Sequence, residues 1–139
     1  MADPLSASMT IAASGLHAQS QRMRVVSENI ANADSTGKTA GSDPYRRKTV
    51  TFENEFNRVE NADLVRVKDV GKDDSPFRVE YEPGNPAADV DGYVKKPNVN
   101  ILIEMADMRE TSRSYEANLK MVTQTRSMLM RTIDLLRNS

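Results

Sequence analysis

The chain has 139 residues, of which 38% are apolar, 28% charged and only 5% aromatic, with no Trp and no Cys. That length holds one domain, or a small domain on long helices, and so few aromatics argue for a thin helix-to-helix seam rather than a thick core. A net charge of −1 excludes nucleic-acid binding as the main business; no apolar run reaches membrane-spanning length, and the absence of Cys decides nothing about compartment.

Asp3-Pro4 opens a helix, with Asp as cap and Pro in the first turn. From Leu5, alternating steps of four and three reach Met9, Ala12, Leu16, Gln19, Met23, Val26, Ile30 and Ala33, a seam broken only by Gln19. Ala12, Ala13, Gly15 and Ala18 make its first half slim. Gly15 is either a close-approach point for another helix or a tolerated weakening of about 1 kcal/mol. The run stops at Asn32 to Gly37, Asn-Ala-Asp-Ser-Thr-Gly, which carries helix-ending and turn chemistry. The first twenty residues lack a basic flank and a continuous apolar core, so the chain is expected to reach its compartment without a cleaved peptide.

Residues 53–92 hold eleven acidic and five basic side chains, a surface different in kind from the ends. Three short strands are expected in this middle region, at Lys48–Phe52, Leu64–Val70 and Phe77–Tyr81. Turn signals follow at Asp74-Ser75-Pro76, Pro83-Gly84-Asn85-Pro86 and Asp91-Gly92. Three such strands bury little and must lean on the helices or on neighbours. Part of 34–46 or 83–97 reads as an extended arm rather than a packed element.

From Pro97 to Ser139 there is no further Gly or Pro. Ile101, Met105, Met108, Ser112, Tyr115, Leu119, Val122, Arg126, Leu129, Ile133 and Leu136 recur at an average of about 3.5 residues, a period that keeps one seam facing a partner helix. About forty helical residues would run roughly 60 Å, too long to hide inside a chain of this size. The predicted fold is mainly α: long N- and C-terminal helices in an antiparallel coiled-coil hairpin, with a small β-strand and loop insert. The boundaries are 1–33, 34–97 and 98–139. The second seam is longer than the first, and its overhang asks for another subunit. The methionines at 9, 23, 105, 108, 121, 128 and 130 lie mostly on or beside the seams, as core filling or as an adaptable binding surface.

Chemistry-bearing patterns fail on inspection. Gly37-Lys38-Thr39 mimics the end of a phosphate loop, but the position five residues before Gly37 is Asn32, and a helix rather than a strand precedes it. Asp89-Val90-Asp91-Gly92 resembles a calcium loop, yet the residue six beyond Gly92 is Asn98 rather than Glu. His17 has no metal-ligating companions nearby in sequence, and no Ser sits in a nucleophile turn. No catalytic residue, cofactor, metal or small-molecule substrate is assigned.

Ser27-Glu28-Asn29-Ile30-Ala31-Asn32-Ala33-Asp34-Ser35 resembles the motif that ends the first helix of bacterial flagellar rod, hook and hook-associated proteins. An extra loop before Tyr45-Arg46-Arg47-Lys48 is similar to the proximal-rod branch. Tyr81-Glu82-Pro83-Gly84-Asn85-Pro86-Ala87, Gly92-Tyr93-Val94, Pro97-Asn98-Val99-Asn100 and Ser112-Arg113-Ser114-Tyr115-Glu116-Ala117-Asn118 continue the resemblance over nearly the whole chain. It implies an axial subunit of the flagellar basal body, exported by the flagellum's own type III apparatus with an uncleaved signal. It also implies helical assembly in the periplasm with copies of itself and other rod proteins, and a proximal-end contact at the membrane-ring and export-gate junction. The end helices would form an inner tube, poorly ordered before assembly, with the middle insert outside.

The expected interface residues are the seam members Leu5, Met9, Leu16, Met23, Val26 and Ile30, together with Ile101, Met105, Met108, Tyr115, Leu119, Val122, Leu129, Ile133 and Leu136. Asn29 and Asn32 at the helix end, and Asn118, join them. Two other readings stay open on the residues: a soluble coiled-coil adaptor or export chaperone forming a small closed oligomer, and an enzyme using Asp89 and Asp91.

Overall fold

The structure, a computed structural model, describes residues 3–139. Two helices, α1 (Pro4–Ala31) and α2 (Ile101–Arg137), bracket four strands: β1 (Lys48–Asn57), β2 (Ala62–Lys72), β3 (Arg78–Tyr81) and β4 (Tyr93–Lys96). The strands form two two-stranded sheets, β1 with β2 and β3 with β4. This corrects the expected mainly-α hairpin with a small insert. Helix accounts for 47% of the chain and strand for 21%, so the fold mixes α and β. The first strand outruns the sequence reading because its extension beyond Phe52 carries Glu53 and Glu55, which pair with Arg66 of β2. Arg66 reaches Glu53 at 2.6 Å and Glu55 at 3.4 Å, which sustains a solvent-facing ladder that apolar alternation does not reveal.

The chain divides into two compact units, one of Met1–Met23, Thr51–Asp69 and Glu110–Ser139, the other of Arg24–Val50 and Val70–Arg109. In the first, Asp3 caps α1 through the Leu5 amide at 3.3 Å. Gly15 lies against Asn118, where a Cβ would stand 2.7 Å from the amide nitrogen, and Arg22 pairs with Glu110 at 3.7 Å. Moving up α1 means moving down α2, so the two helices run antiparallel here.

The seam they share is not the expected one. On α2 the covered positions in this unit include Thr111, Tyr115, Asn118, Val122, Thr125 and Leu129, still at steps of four and three, with Ser112 and Ser114 half-buried beside them. Tyr115, Val122 and Leu129 belong to the predicted seam. Asn118 and Thr125 replace Leu119 and Arg126, one residue earlier in the heptad, while Ser112 stays half-buried next to the buried Thr111. Threonine and asparagine fit against the small residues of α1, whereas Leu119 is left exposed. Gln19, the break in the α1 seam, carries a buried amide oxygen without a hydrogen-bond partner. The β1–β2 hairpin joins this unit where the Val65 amide donates to Ser14 Oγ at 3.2 Å. Its turn is closed by Asn57 Oδ1, which accepts from the amides of Val59 and Glu60 at 2.9 and 3.2 Å, and Asn61 adopts a left-handed φ of 50°.

In the second unit β3 and β4 pair antiparallel, Tyr81 opposite Tyr93, with the two rings edge-on at 5.3 Å. The segment read as an extended arm is packed: Ala87, Val94, Pro97 and Val99 are buried, as are Val25, Val26 and Ala33. Asn85 builds its turn by accepting the Ala87 amide and donating to Glu82, at 2.9 and 2.8 Å. Gly92 has φ +86°, and a Cβ there would stand 2.9 Å from the Tyr81 ring. Asp89 Oδ1 accepts the amides of Asp91 and Tyr93, so the calcium-like motif is a turn whose carboxylate is occupied by backbone.

Replacing Gly15 by Leu should destabilise the chain by about 1–3 kcal/mol in denaturant unfolding, because the added side chain enters the space of the Asn118 amide. Asn118→Ala in the same chain should return part of that loss.

Candidate functional site

The last turns of α1 carry a polar residue where a core position is due. Asn29 is 1% exposed, and burial without partners would cost several kcal/mol. Its amide nitrogen donates to the Lys48 carbonyl at 2.9 Å and to Glu104 Oε2 at 3.2 Å. Its oxygen accepts the Tyr45 hydroxyl at 2.7 Å and the Lys48 amide at 2.9 Å. Two donors and two acceptors are the whole capacity of an asparagine side chain, and all four are used.

Glu104, in the first turn of α2, is fully buried. Its other oxygen takes a charge-assisted hydrogen bond from Arg47 Nε. Arg47 also lies 3.5 Å from Asp73. Asn98 then locks the strand entry: its oxygen accepts the Arg47 amide at 2.7 Å, and its nitrogen donates to the carbonyls of Asp73 and Ser75, both at 3.0 Å. Arg46 donates to the same two carbonyls and stacks 4.2 Å over the Phe77 ring. Asn100 caps α2 by accepting the Leu102 amide at 3.0 Å. Asn32 turns back on α1, donating to the Glu28 carbonyl at 2.8 Å, while Glu28 pairs with Lys48 at 2.7 Å.

The electrostatics follow from these contacts. Burial, followed by the negative charges of Glu28 and Glu104, pushes the Tyr45 hydroxyl up to about 12. For Arg47 burial opposes the charge, but the hydrogen bond and charge of Glu104, then Asp73 and Asp107, outweigh it and hold the guanidinium more firmly protonated than usual. The hydrogen bond from Lys48 lowers Glu28, and those from Ser75 lower Asp73. This is a fully compensated joint with no open coordination position and no poised nucleophile. Among the described residues, no His, Cys, Asp and Glu cluster could hold a metal.

The predicted residues fall into two sets. Val26 and Asn29 are buried, and Leu5, Met9, Leu16, Met23, Ile30, Asn32, Met108, Tyr115, Asn118, Val122 and Leu129 are half-buried. Ile101, Met105, Leu119, Ile133 and Leu136 are exposed. At about 100° per residue, most of the exposed apolar side chains of α2 group on two sides of it, while Leu102, 78% exposed, stands on the face opposite Glu104. In the first unit Leu119 and Met130 lie roughly a quarter turn to one side of the covered seam, and Met121, Met128 and Leu135 lie to the other. In the second unit Ile101 and Met105 stand on one side of Glu104 and Ile103 on the other. Each unit therefore shows an α2 segment with a covered stripe and two bare apolar flanks. Ile133 and Leu136 continue the covered stripe beyond the start of α1, which the Gly15–Asn118 contact places about level with Leu129. The sequence missed the roles of Tyr45, Arg47, Asn98 and Glu104, although the polar residues packed into 97–104 around apolar Val99 and Ile101 were an available signal.

Asn29→Asp keeps the shape but sets a carboxylate beside Glu104 in place of a donor. The variant should be destabilised by about 1–3 kcal/mol in denaturant unfolding at neutral pH, because the lost donor leaves Glu104 and the Lys48 carbonyl without that partner. Tyr45 gives a pH-dependent test. Because its folded pKa is raised, its contribution is complete below pH 10 and is lost as pH rises towards about 12. Stability measured across that window should fall less steeply in Tyr45→Phe than in wild type.

Two family models match the chain: "Flagella basal body rod protein" over residues 9–37 and "Flagellar basal body rod FlgEFG protein C-terminal" over residues 90–135. These spans hold Asn29 and Asn32 on one side of the joint and Asn98, Asn100 and Glu104 on the other. The chain is 62% identical over 137 residues to flagellar basal-body rod protein FlgC of Agrobacterium fabrum, covering 99% of each. It is 45% identical to that of Escherichia coli O6:H1 over 127 residues, covering 90% of this chain and 92% of the relative. Against the Bacillus subtilis protein the identity is 39%, with 92% and 95% covered. The adaptor or chaperone reading is left without support, and so is an enzyme built on Asp89 and Asp91. The chain belongs to the flagellar basal-body rod protein FlgC family and is a structural subunit of the rod, not an enzyme.

Proposed function

We propose that this subunit assembles helically, with copies of itself and with other rod proteins, by laying the bare flanks of α2 against neighbouring helices. The observation that carries the reading is the pair of apolar flanks on either side of one covered stripe. A helix with two different sticky sides makes a heterologous contact: one flank of a subunit meets the opposite flank of the next. Such contacts close into rings or continue as helical filaments according to the rotation they impose. Burying a Leu or Met side chain is worth about 1.5–3 kcal/mol, so several such contacts in parallel suit a shaft that transmits torque.

In this reading the half-buried seam residues, from Leu5 to Ile30 and from Met108 to Leu129, hold the subunit together. Ile101, Met105, Leu119, Ile133 and Leu136 meet neighbours. The helices at 1–33 and 98–139 make the inner core of the shaft, with 34–97 outside it. The family resemblance extends the proposal to a periplasmic, proximal position in the rod, to export by the flagellar type III apparatus without a cleaved signal, and to a contact at the membrane-ring and export-gate junction.

Met121→Glu/Met128→Glu places two charges on one flank without touching the covered seam. The variant should keep its helical content by circular dichroism, yet fall at least about tenfold in detergent-extracted basal bodies quantified by mass spectrometry, if each buried charge costs a kcal/mol or more. Normal incorporation and normal swimming would sink the flank reading.

A further inference from the structure

The Asp89-Val90-Asp91-Gly92 turn of the second unit carries an apolar side chain that nothing covers. Val90 is 102% exposed, between two carboxylates. The turn beneath it is rigid. The Asp89 amide donates to the Tyr93 carbonyl at 2.9 Å, the Gly92 amide donates to the Asp89 carbonyl at 3.1 Å, and Gly92 holds its left-handed φ of +86°. Asp89 Oδ1 takes two backbone amides, but neither Asp89 nor Asp91 pairs with a cation among the described residues. The same unit holds the complementary surface. A cleft of about 490 Å³ has Pro44 and Phe77 in its lining, together with four charged side chains. Two of those charges are answered within the chain, Asp43 by Lys95 at 2.9 Å and Lys48 by Glu28 at 2.7 Å. The other two are not. Arg46 donates to carbonyls and stacks on the Phe77 ring, and Lys72 is exposed with no ion pair among the described residues.

We propose that Val90 of one copy seats in this cleft of a neighbouring copy, with Asp89 and Asp91 facing Arg46 and Lys72. Charge complementarity selects the occupant: a second copy offers two unanswered carboxylates around an apolar group, where the cleft offers two unanswered cations beside apolar and aromatic ones. The inference rests on the reading that copies of this subunit assemble side by side, and it adds a contact made by 34–97 rather than by the helices. It concerns the assembled state only. Burial of Val90 and of the Phe77 ring supplies the attraction, while the opposite charges fix the register and reject other partners. A turn already pinned by its own backbone loses little freedom on docking.

The absence of cysteine makes the contact directly readable. Two differently tagged chains, one Val90→Cys and the other Lys72→Cys, are expressed together in cells lacking the native protein, and their basal bodies are extracted and oxidised. A disulfide-linked dimer carrying both tags should form at least about threefold more than between Val79→Cys and Lys72→Cys, because the bond requires Cα atoms within about 7 Å. Val79 is an exposed apolar residue outside the proposed contact. Equal yields, or no mixed dimer, overturn the contact. Charge reversal gives a second reading in the cysteine-free chain. Asp91→Lys and Lys72→Glu each set like charges face to face and should lower the amount of the chain in basal bodies severalfold. Asp91→Lys/Lys72→Glu restores opposite charges and should recover most of that loss, whereas additive losses overturn the proposal. Both side chains are exposed, so neither change disturbs a core. Wild type missing from basal bodies would sink the assembly reading and this contact with it; wild type present without the mixed dimer sinks the contact alone.

Discussion

The second unit depends on one constraint: a fully buried carboxylate, Glu104, must never be without its partners. Breaking a buried ion pair from one side costs roughly 3–5 kcal/mol, far more than the pair contributes against an apolar replacement. Arg47 supplies the charge and Asn29 the second hydrogen bond. Because Asn29 also grips Lys48 and Tyr45, the end of one helix, the entry to a strand and the start of another helix are fixed by the same few atoms. Asn98 and Asn100 repeat the device on the other side, one clamping the Asp73–Ser75 backbone and the other capping α2. Such a joint is a poor source of net stability and a good source of geometry. It holds angles between elements rather than adding to the depth of a core.

The α2 helix divides its labour by face. Towards α1 the first unit presents Thr111, Asn118 and Thr125 between Tyr115, Val122 and Leu129, a seam with a polar residue in every heptad. Polar seam positions cost stability and narrow the set of acceptable registers. The larger apolar residues, Leu119, Met121, Met128, Met130 and Leu135, stay outside. A monomeric enzyme would place them inward. A subunit whose strongest apolar surface faces outward is incomplete by itself, which is the condition a polymer building block has to meet.

The sequence made some of this legible and hid the rest for physical reasons. Asp3-Pro4 and Asn32 to Gly37 announced the ends of α1 because caps and stops are local chemistry. The heptad period of α2 was legible, and its phase slips by one residue at two seam positions, where Asn118 and Thr125 are covered rather than Leu119 and Arg126. Hydrophobicity ranks Leu119 above Asn118 as a core residue, but it is the Asn118 amide that packs against Gly15. The β1–β2 hairpin was legible in part, as Lys48–Phe52 and Leu64–Val70; the second half of β1 escaped because Glu53, Asn54 and Glu55 interrupt the apolar alternation. Strand β4, Tyr93–Lys96, escaped because two of its four residues are lysines. Of the joint only Asn29 and Asn32 stood out in the sequence; their pairing with Glu104 did not, since Asn29 and Glu104 are 75 positions apart.

The bond from the Val65 amide to Ser14 Oγ has a consequence of its own. A two-stranded ribbon has two open sides, and each is a template on which a stray chain can add by backbone pairing. Here a helix hydroxyl occupies one of those amides, and the same hydroxyl donates back to Ile11 at 2.7 Å, so it is held in place. A protein that must crowd against copies of itself gains from such a stopper. It takes one backbone donor of the ribbon out of reach of a stray strand, and it does so with a side chain from the helix rather than with a further strand.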